Sequence, residues 1–140
     1  LRDDPALAFT ALIDIVGVDR QPAEPRFELN YSLVAADVPA RLRVKVRLGG
    51  GEPHVASVTG LWPSAGFLER EVWDLFGVVF DGHPDLRRLL TPDDWAGHPL
   101  RKDYPLQVDV PVAFHEPLQV TEDQFRERIR KDRRVRGGEI

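Results

Sequence analysis

Two stretches of the chain alternate apolar and polar residues with a period of two. In Phe27-Glu28-Leu29-Asn30-Tyr31-Ser32-Leu33 the apolar side chains fall on odd positions, and in Arg41-Leu42-Arg43-Val44-Lys45-Val46-Arg47-Leu48 on even ones. Both have the spacing of half-buried strands. With Ala35 to Ala40 as a hairpin loop, pairing Leu33 with Leu42, Tyr31 with Val44 and Leu29 with Val46 puts every apolar residue on one face and sets Glu28 opposite Arg47. The Arg41, Arg43, Lys45, Arg47 stripe is then the wet face of an antiparallel sheet. Upstream, Ile13, Ile15, Val16 and Val18 form a β-branched run that ends at Asp19, and the prolines from Gln21 to Pro25 close it. Asp4-Pro5 ahead of it has the form of an N-cap and first-turn proline, which predicts a short helix from Ala6 to about Ala11. His54 to Thr59 and Val78 to Phe80 are further short extended runs.

Between those last two the period changes. From Ser64, the expected N-cap, to Gly77, the expected left-handed C-cap, the spacing is helical. At 100° per residue Phe67, Leu68, Val72, Leu75 and Phe76 share one broad side. Arg70 and Asp74 mark the polar centre opposite and read as a solvated i,i+4 pair. Glu69 and Glu71 fall on the borders of the apolar surface. Desolvating either without a partner costs several kcal/mol, so each should meet a cation or backbone donors. Arg87, Arg88, Arg101 and Lys102 are candidates within the chain, and a partner protein is the alternative.

Two Gly-His-Pro turns follow, Gly82-His83-Pro84 and Gly97-His98-Pro99, fifteen positions apart. Asp85 to Leu90 predicts about one and a half helical turns with Leu86, Leu89 and Leu90 inward. Thr91-Pro92-Asp93-Asp94 predicts a second capped turn. From Gln107 to Leu118 the prolines rule out a central strand and suggest an extended arm. The capping box at Thr121 to Gln124 then starts a helix to about Arg134. The chain thus divides into an α+β domain over 1–106, a two-layer, mixed but largely antiparallel sheet with helices on one face, and an arm with a C-terminal helix over 107–140.

With 140 residues and 42% hydrophobic content the chain is long enough for one core of ordinary size. A formal charge of -4 provides no basic field for nucleic acid. The absence of cysteine excludes disulfides, thiol catalysis and cysteine-held zinc or iron-sulfur clusters within the chain. No apolar run approaches the length of a membrane-spanning helix, roughly 20 residues. Gly49-Gly50-Gly51 lacks the lysine and spacing of a phosphate loop and is read as a turn. His83, His98, Glu71 and Asp74 are the obvious set for metal or acid-base chemistry, but they form no compact ligand pattern, and each of these histidines precedes a proline in a turn. Trp62, Trp73 and Trp95 suit either a protein interface or the core.

The segment Glu69-Arg70-Glu71-Val72-Trp73-Asp74-Leu75-Phe76-Gly77 is followed by Phe80, by Gly82-His83-Pro84-Asp85-Leu86-Arg87-Arg88-Leu89-Leu90-Thr91, and by Gly97-His98-Pro99-Leu100-Arg101-Lys102-Asp103-Tyr104-Pro105-Leu106. Together with Asp14-Ile15-Val16-Gly17-Val18-Asp19 these closely resemble the C subunit of respiratory complex I, the proton-pumping NADH:quinone oxidoreductase, over about residues 10 to 106. The resemblance implies a cofactor-free, non-catalytic subunit of the hydrophilic arm, peripheral on the cytoplasmic side of the bacterial inner membrane. Its expected partners are other peripheral-arm subunits, above all the quinone-site subunit, with flavin, iron-sulfur clusters and quinone held by them. It implies an interface or loop-organising role for Glu69, Arg70, Glu71, Asp74, His83, Arg87, Arg88, His98, Arg101, Lys102 and Asp103. The alternatives are the equivalent subunit of an F420-linked, chloroplast-type or membrane-bound hydrogenase complex, or a free metal-dependent enzyme using His83 and His98. The resemblance leads one to expect a further helix and strand before the position of Leu1, and it assigns nothing to the arm after Gln107.

Overall fold

The computed structural model describes residues 1–35 and 39–105, together with Thr121, Asp123, Arg126 and Glu127. The chain divides into the units Leu1–Leu106 and Gln107–Ile140. Asp123, Arg126 and Glu127 are helical, and the rest of the arm and helix expected there lies outside the described residues.

The alternating segments become β1 (Ala11–Asp19), β2 (Phe27–Val34) and β3 (Arg41–Leu48), an antiparallel sheet in the order β1-β2-β3. The register is the one that places all apolar residues on one face: Leu33 opposite Leu42, Tyr31 opposite Val44, Leu29 opposite Val46 and Glu28 opposite Arg47. Arg41, Arg43, Lys45 and Arg47 are exposed. Lys45 and Arg47 are nevertheless engaged, because with Arg20 they surround the buried Glu28 at 3.3, 3.4 and 3.1 Å. A bulge between Leu12 and Asp14 on the edge strand leaves Ile13 exposed.

The remaining strands form a separate pair. β4 (His54–Ala56) and β5 (Val79–Asp81) are parallel, joined through α1 (Ala65–Phe76) as a short β-α-β unit. The α+β class and the two layers are as expected, with the parallel component segregated in its own small sheet. Leu12, Ile15, Leu29, Tyr31 and Leu33 from the three-stranded sheet meet Trp62, Ala65, Val72, Val78 and Phe80 in the core. Each large apolar side chain buried there contributes about 1.5–3 kcal/mol. Close approach of helix to sheet depends on Gly17 of β1, where a β-carbon would lie 2.7 Å from the ring of Phe76.

Several local expectations are corrected. Asp4 does cap, its carboxylate accepting the Ala6 N–H at 2.9 Å, but only a turn forms. Ala8 then takes a left-handed φ of 41°, and Phe9 turns into the core ahead of β1. Ser64 is the N-cap residue of α1, as expected, but its side chain makes no capping bond; the hydroxyl donates to the Leu12 carbonyl at 3.1 Å and ties the helix start to β1. Gly77 is the left-handed C-cap, with φ 71°.

The faces of α1 also differ from the helical wheel. Phe67 is 67% exposed, whereas Glu69 and Asp74 are both at 0%. Arg70 does not pair with Asp74 and instead donates to the carbonyls of Arg87 and Arg88 at 3.2 and 3.0 Å. Loop backbone covers these faces of the helix, and backbone N–H groups need acceptors, so the carboxylates turn inward.

Candidate interaction site

Both carboxylates that α1 buries are satisfied by backbone and side-chain donors of the loops. Oδ2 of Asp74 accepts the consecutive N–H groups of Leu89, Leu90 and Thr91 at 3.0, 2.7 and 2.9 Å. Oδ1 accepts Arg88 Nη1 at 2.9 Å and the Thr91 hydroxyl. This explains why Asp85 to Leu90 forms no helix, contrary to the sequence reading: amides aimed at one carboxylate cannot also bond carbonyls four residues back. Leu86 is half-buried, but Leu89 and Leu90 are 37% and 61% exposed rather than inward. Over Thr91 to Trp95 a single turn survives, closed by the Trp95 N–H on the Pro92 carbonyl at 3.0 Å. Burial alone would push the Asp74 carboxyl up. The hydrogen bonds from Thr91, Arg88 and Leu89 outweigh it and hold the group well below the usual carboxylate range.

Arg88 extends this network. Its Nη2 donates to the carbonyls of Trp95 and Gly97 at 2.7 and 3.0 Å while its plane lies over Trp73, 5.5 Å from the ring centroid. One guanidinium thus fixes both loops to the helix. Arg87 is exposed and pairs with Asp85 at 2.9 Å.

At the other end of the helix Glu69 accepts the Val58 N–H and the Ser57 hydroxyl, both at 2.7 Å. These donors come from the stretch after β4, which therefore leaves the strand at Ala56 rather than continuing to Thr59. None of the cations considered from the sequence meets Glu69. Glu71, the second border acid, is exposed and forms no ion pair among the described residues.

The two Gly-His-Pro turns use their rings differently. His83 Nδ1 accepts the Asp85 N–H at 3.0 Å, so Nε2 carries the hydrogen and donates to the Gly66 carbonyl at 3.0 Å, with Glu69 4.0 Å away. His98 Nδ1 donates to the Asp74 carbonyl at 2.9 Å. Burial lowers the His98 pKa, and this ring is neutral at neutral pH. The carbonyls that hold the rings are eight residues apart on α1, about 12 Å along its axis, too far for one metal ion. Among the described residues no three of His, Asp and Glu converge as a ligand set.

A third cluster closes the domain. Arg26 grips Asp19 at 2.7 Å and Asp103 at 2.7 Å, and Asp19 also accepts the N–H groups of Lys102 and Gln21 at 2.9 Å each. Lys102 Nζ reaches the Gln21 carbonyl at 2.9 Å. Arg26 holds Asp19 well below the usual carboxylate range, against an upward push from burial. Arg101 Nε donates to the Phe76 carbonyl at 2.6 Å and Nη2 to that of Gly77 at 3.3 Å. Of these residues Arg26 and Ser57 were not given a site role from the sequence, and Asp19 and Thr91 were read only as a strand end and a turn cap. Their partners lie up to 83 positions away, beyond the reach of any local pattern.

The arrangement organises loops and leaves large apolar side chains outside. Residues 1–110 match the family of the 30 kDa subunit of respiratory-chain NADH dehydrogenase. The chain belongs to this family. It is 51% identical over 114 residues to the C subunit of the NADH-quinone oxidoreductase of Roseiflexus sp. (strain RS-1), covering 81% of this chain and 65% of that protein. It is 47% identical over 132 residues to NADH-quinone oxidoreductase subunit 5 of Thermus thermophilus, covering 86% of this chain and 62% of that one. Among solved structures, the trypsin-resistant fragment (1-134) of Nqo5 is similar, with a TM-score of 0.52 and 46% identity over 56% of this chain and 66% of that chain. The chain spans less than two thirds of the length of these family members. No helix among the described residues is long and apolar enough to cross a membrane.

Proposed function

We propose that the chain acts as a non-catalytic structural subunit of the hydrophilic arm of NADH:quinone oxidoreductase. In this reading the assembly transfers electrons from NADH to quinone and couples this to proton translocation. Flavin, iron-sulfur clusters and quinone belong to partner subunits, and the chain sits peripherally on the cytoplasmic side, against the quinone-site subunit. Family membership supports the assembly. The observation that carries the structural role is the inversion of residues 61–100: Glu69 and Asp74 are consumed internally by donors of the loops, while Phe67, Leu90 and Leu100 are 67%, 61% and 52% exposed. Large apolar side chains held outside, on α1 and on the loops bonded to it, suit a docking surface. Both Gly-His-Pro rings are used in positioning the loops, which weighs against the free-enzyme reading.

The test is co-purification. The tagged chain, recovered from gently solubilised membranes of its own host and analysed by native mass spectrometry, is expected with iron-sulfur and flavin subunits in stoichiometric amount. Recovery of the chain only on its own would reject the reading.

A further inference from the structure

A pocket of about 480 Å³ opens beside the C-terminal end of α1, lined among others by Glu52, His54, Trp73, Gly77, His98 and Arg101. A β-carbon placed on Gly77 would lie 2.5 Å from His98 Nε2 and 2.5 Å from Arg101 Nη2, so these two nitrogens flank one spot on the pocket wall. His98 spends its Nδ1 hydrogen on the Asp74 carbonyl, which leaves Nε2 as an acceptor with no donor among the described residues. Arg101 Nη1 likewise makes no hydrogen bond among them.

The charge balance here differs from that of Arg26 and Arg88 and is shared by half-buried Arg70, which also bonds only to carbonyls, those of Arg87 and Arg88. Arg26 and Arg88, each with a side chain 14% exposed, grip carboxylates. Arg101, half-buried, bonds only to carbonyl oxygens, and forms no ion pair among the described residues. Burial lowers its pKa and neighbouring Arg26 adds to that, against weaker pulls from Asp103 and Asp19, both already held by Arg26. Carbonyl dipoles orient a guanidinium but do not neutralise it. Its planar fork facing an open pocket is complementary to a carboxylate.

The geometry points to this pocket as the seat of an acidic side chain from a neighbouring subunit, its carboxylate on Arg101 and its flanking polar groups within reach of His98 Nε2, against the Trp73 ring. The inference rests on the assembly reading above and adds the chemistry of one contact. The volume admits a loop tip rather than a lone ion, and a partner carboxylate would supply the ion pair that Glu52 on the same wall does not make with Arg101 among the described residues.

The experiment uses the full chain in its assembled complex. An Arg101→Lys variant places a primary amine at the same spot, and treating the purified complex with a zero-length carbodiimide should join that amine to the partner's carboxylate. Peptide mass spectrometry is expected to find an amide between position 101 and an Asp or Glu of another subunit, absent from wild type. Arg101→Glu should lower recovery of the chain in the complex by about tenfold or more, and reversing the charge of the identified acid should restore it. Melting of the free chain separates assembly from folding, since Arg101 also holds the end of α1. A complex that forms normally, with position 101 linked only to Glu52 or another acid of the same chain, overturns the proposal and leaves the assembly reading intact. Absence of any co-purifying subunit overturns both.

Discussion

Asp74 and Arg88 meet at 2.9 Å across fourteen residues of chain, and the carboxylate in that pair has no exposure at all. A salt bridge in this setting is usually a doubtful source of stability, because desolvating both ions offsets their attraction. Here the carboxylate has three backbone N–H groups and a hydroxyl as well, and the guanidinium has two loop carbonyls. The pair acts as a hub from which the path of residues 88–98 is determined.

Replacing Asp74 by Asn keeps the shape, removes the charge and turns an NH2 group towards donors. The expected loss is about 3 kcal/mol or more, measured as the denaturant midpoint of the full chain. Leu89, Leu90 and Thr91 amides should exchange hydrogen faster than those of β2. A variant within about 0.5 kcal/mol of wild type would show that the loops are held by something else.

The Arg26 cluster predicts an asymmetry. Asp19 is buried and Asp103 is half-exposed, although Arg26 lies 2.7 Å from each. Asp103→Asn should cost at most about 1 kcal/mol, as for surface pairs. Arg26→Met strands the buried Asp19 and should cost about 3 kcal/mol or more. Equal losses in thermal denaturation would mean that burial does not separate the two contacts.

Acid should act on the fold in two stages. Asp74 and Asp19 are held well below their ordinary values near 4, so the unfolded chain takes up their protons first. Their stabilisation is complete above that range and is lost as pH falls through and below it. His98 is also lowered, so its neutral form stabilises the fold above the ordinary histidine value near 6.5, and this is lost as pH falls below it. Unfolding free energy should therefore slope gently downwards below about pH 6.5 and steeply below about pH 4. Asp74→Asn should flatten the steep limb and His98→Gln the gentle one. A flat profile from pH 7 to pH 3 would contradict both assignments.

The three-stranded sheet could be read from its residues because each strand carries its own period-two pattern, and closing β2 and β3 over a loop at Ala35 to Ala40 pairs Leu33 with Leu42, Tyr31 with Val44 and Leu29 with Val46 on one face. The span of α1 was legible for the same reason, with Gly77 as a sharp local stop. Its faces were not. A helical wheel ranks side chains by solvation in water, and it assigns Asp74 to solvent because no helix position by itself reveals that a loop will lie over it. The motif resemblance marked Asp74, Arg88 and Arg101 as residues with a task, but not which atoms they would hold.

The sequence by itself determined the periodic elements, their ends at Asp19 and Gly77, the absence of thiol chemistry and the family. Only the tertiary structure decided which charges are inside: Glu69 on the exit of β4, Asp74 under residues 88–91, Asp19 beneath Arg26, and Arg101 on a pocket wall with no ion pair among the described residues. The physical reason is that strand and helix patterns are set by neighbours a few residues away. A buried charge instead depends on donors brought from as far as 83 positions away, whose arrival is a property of the whole packed domain.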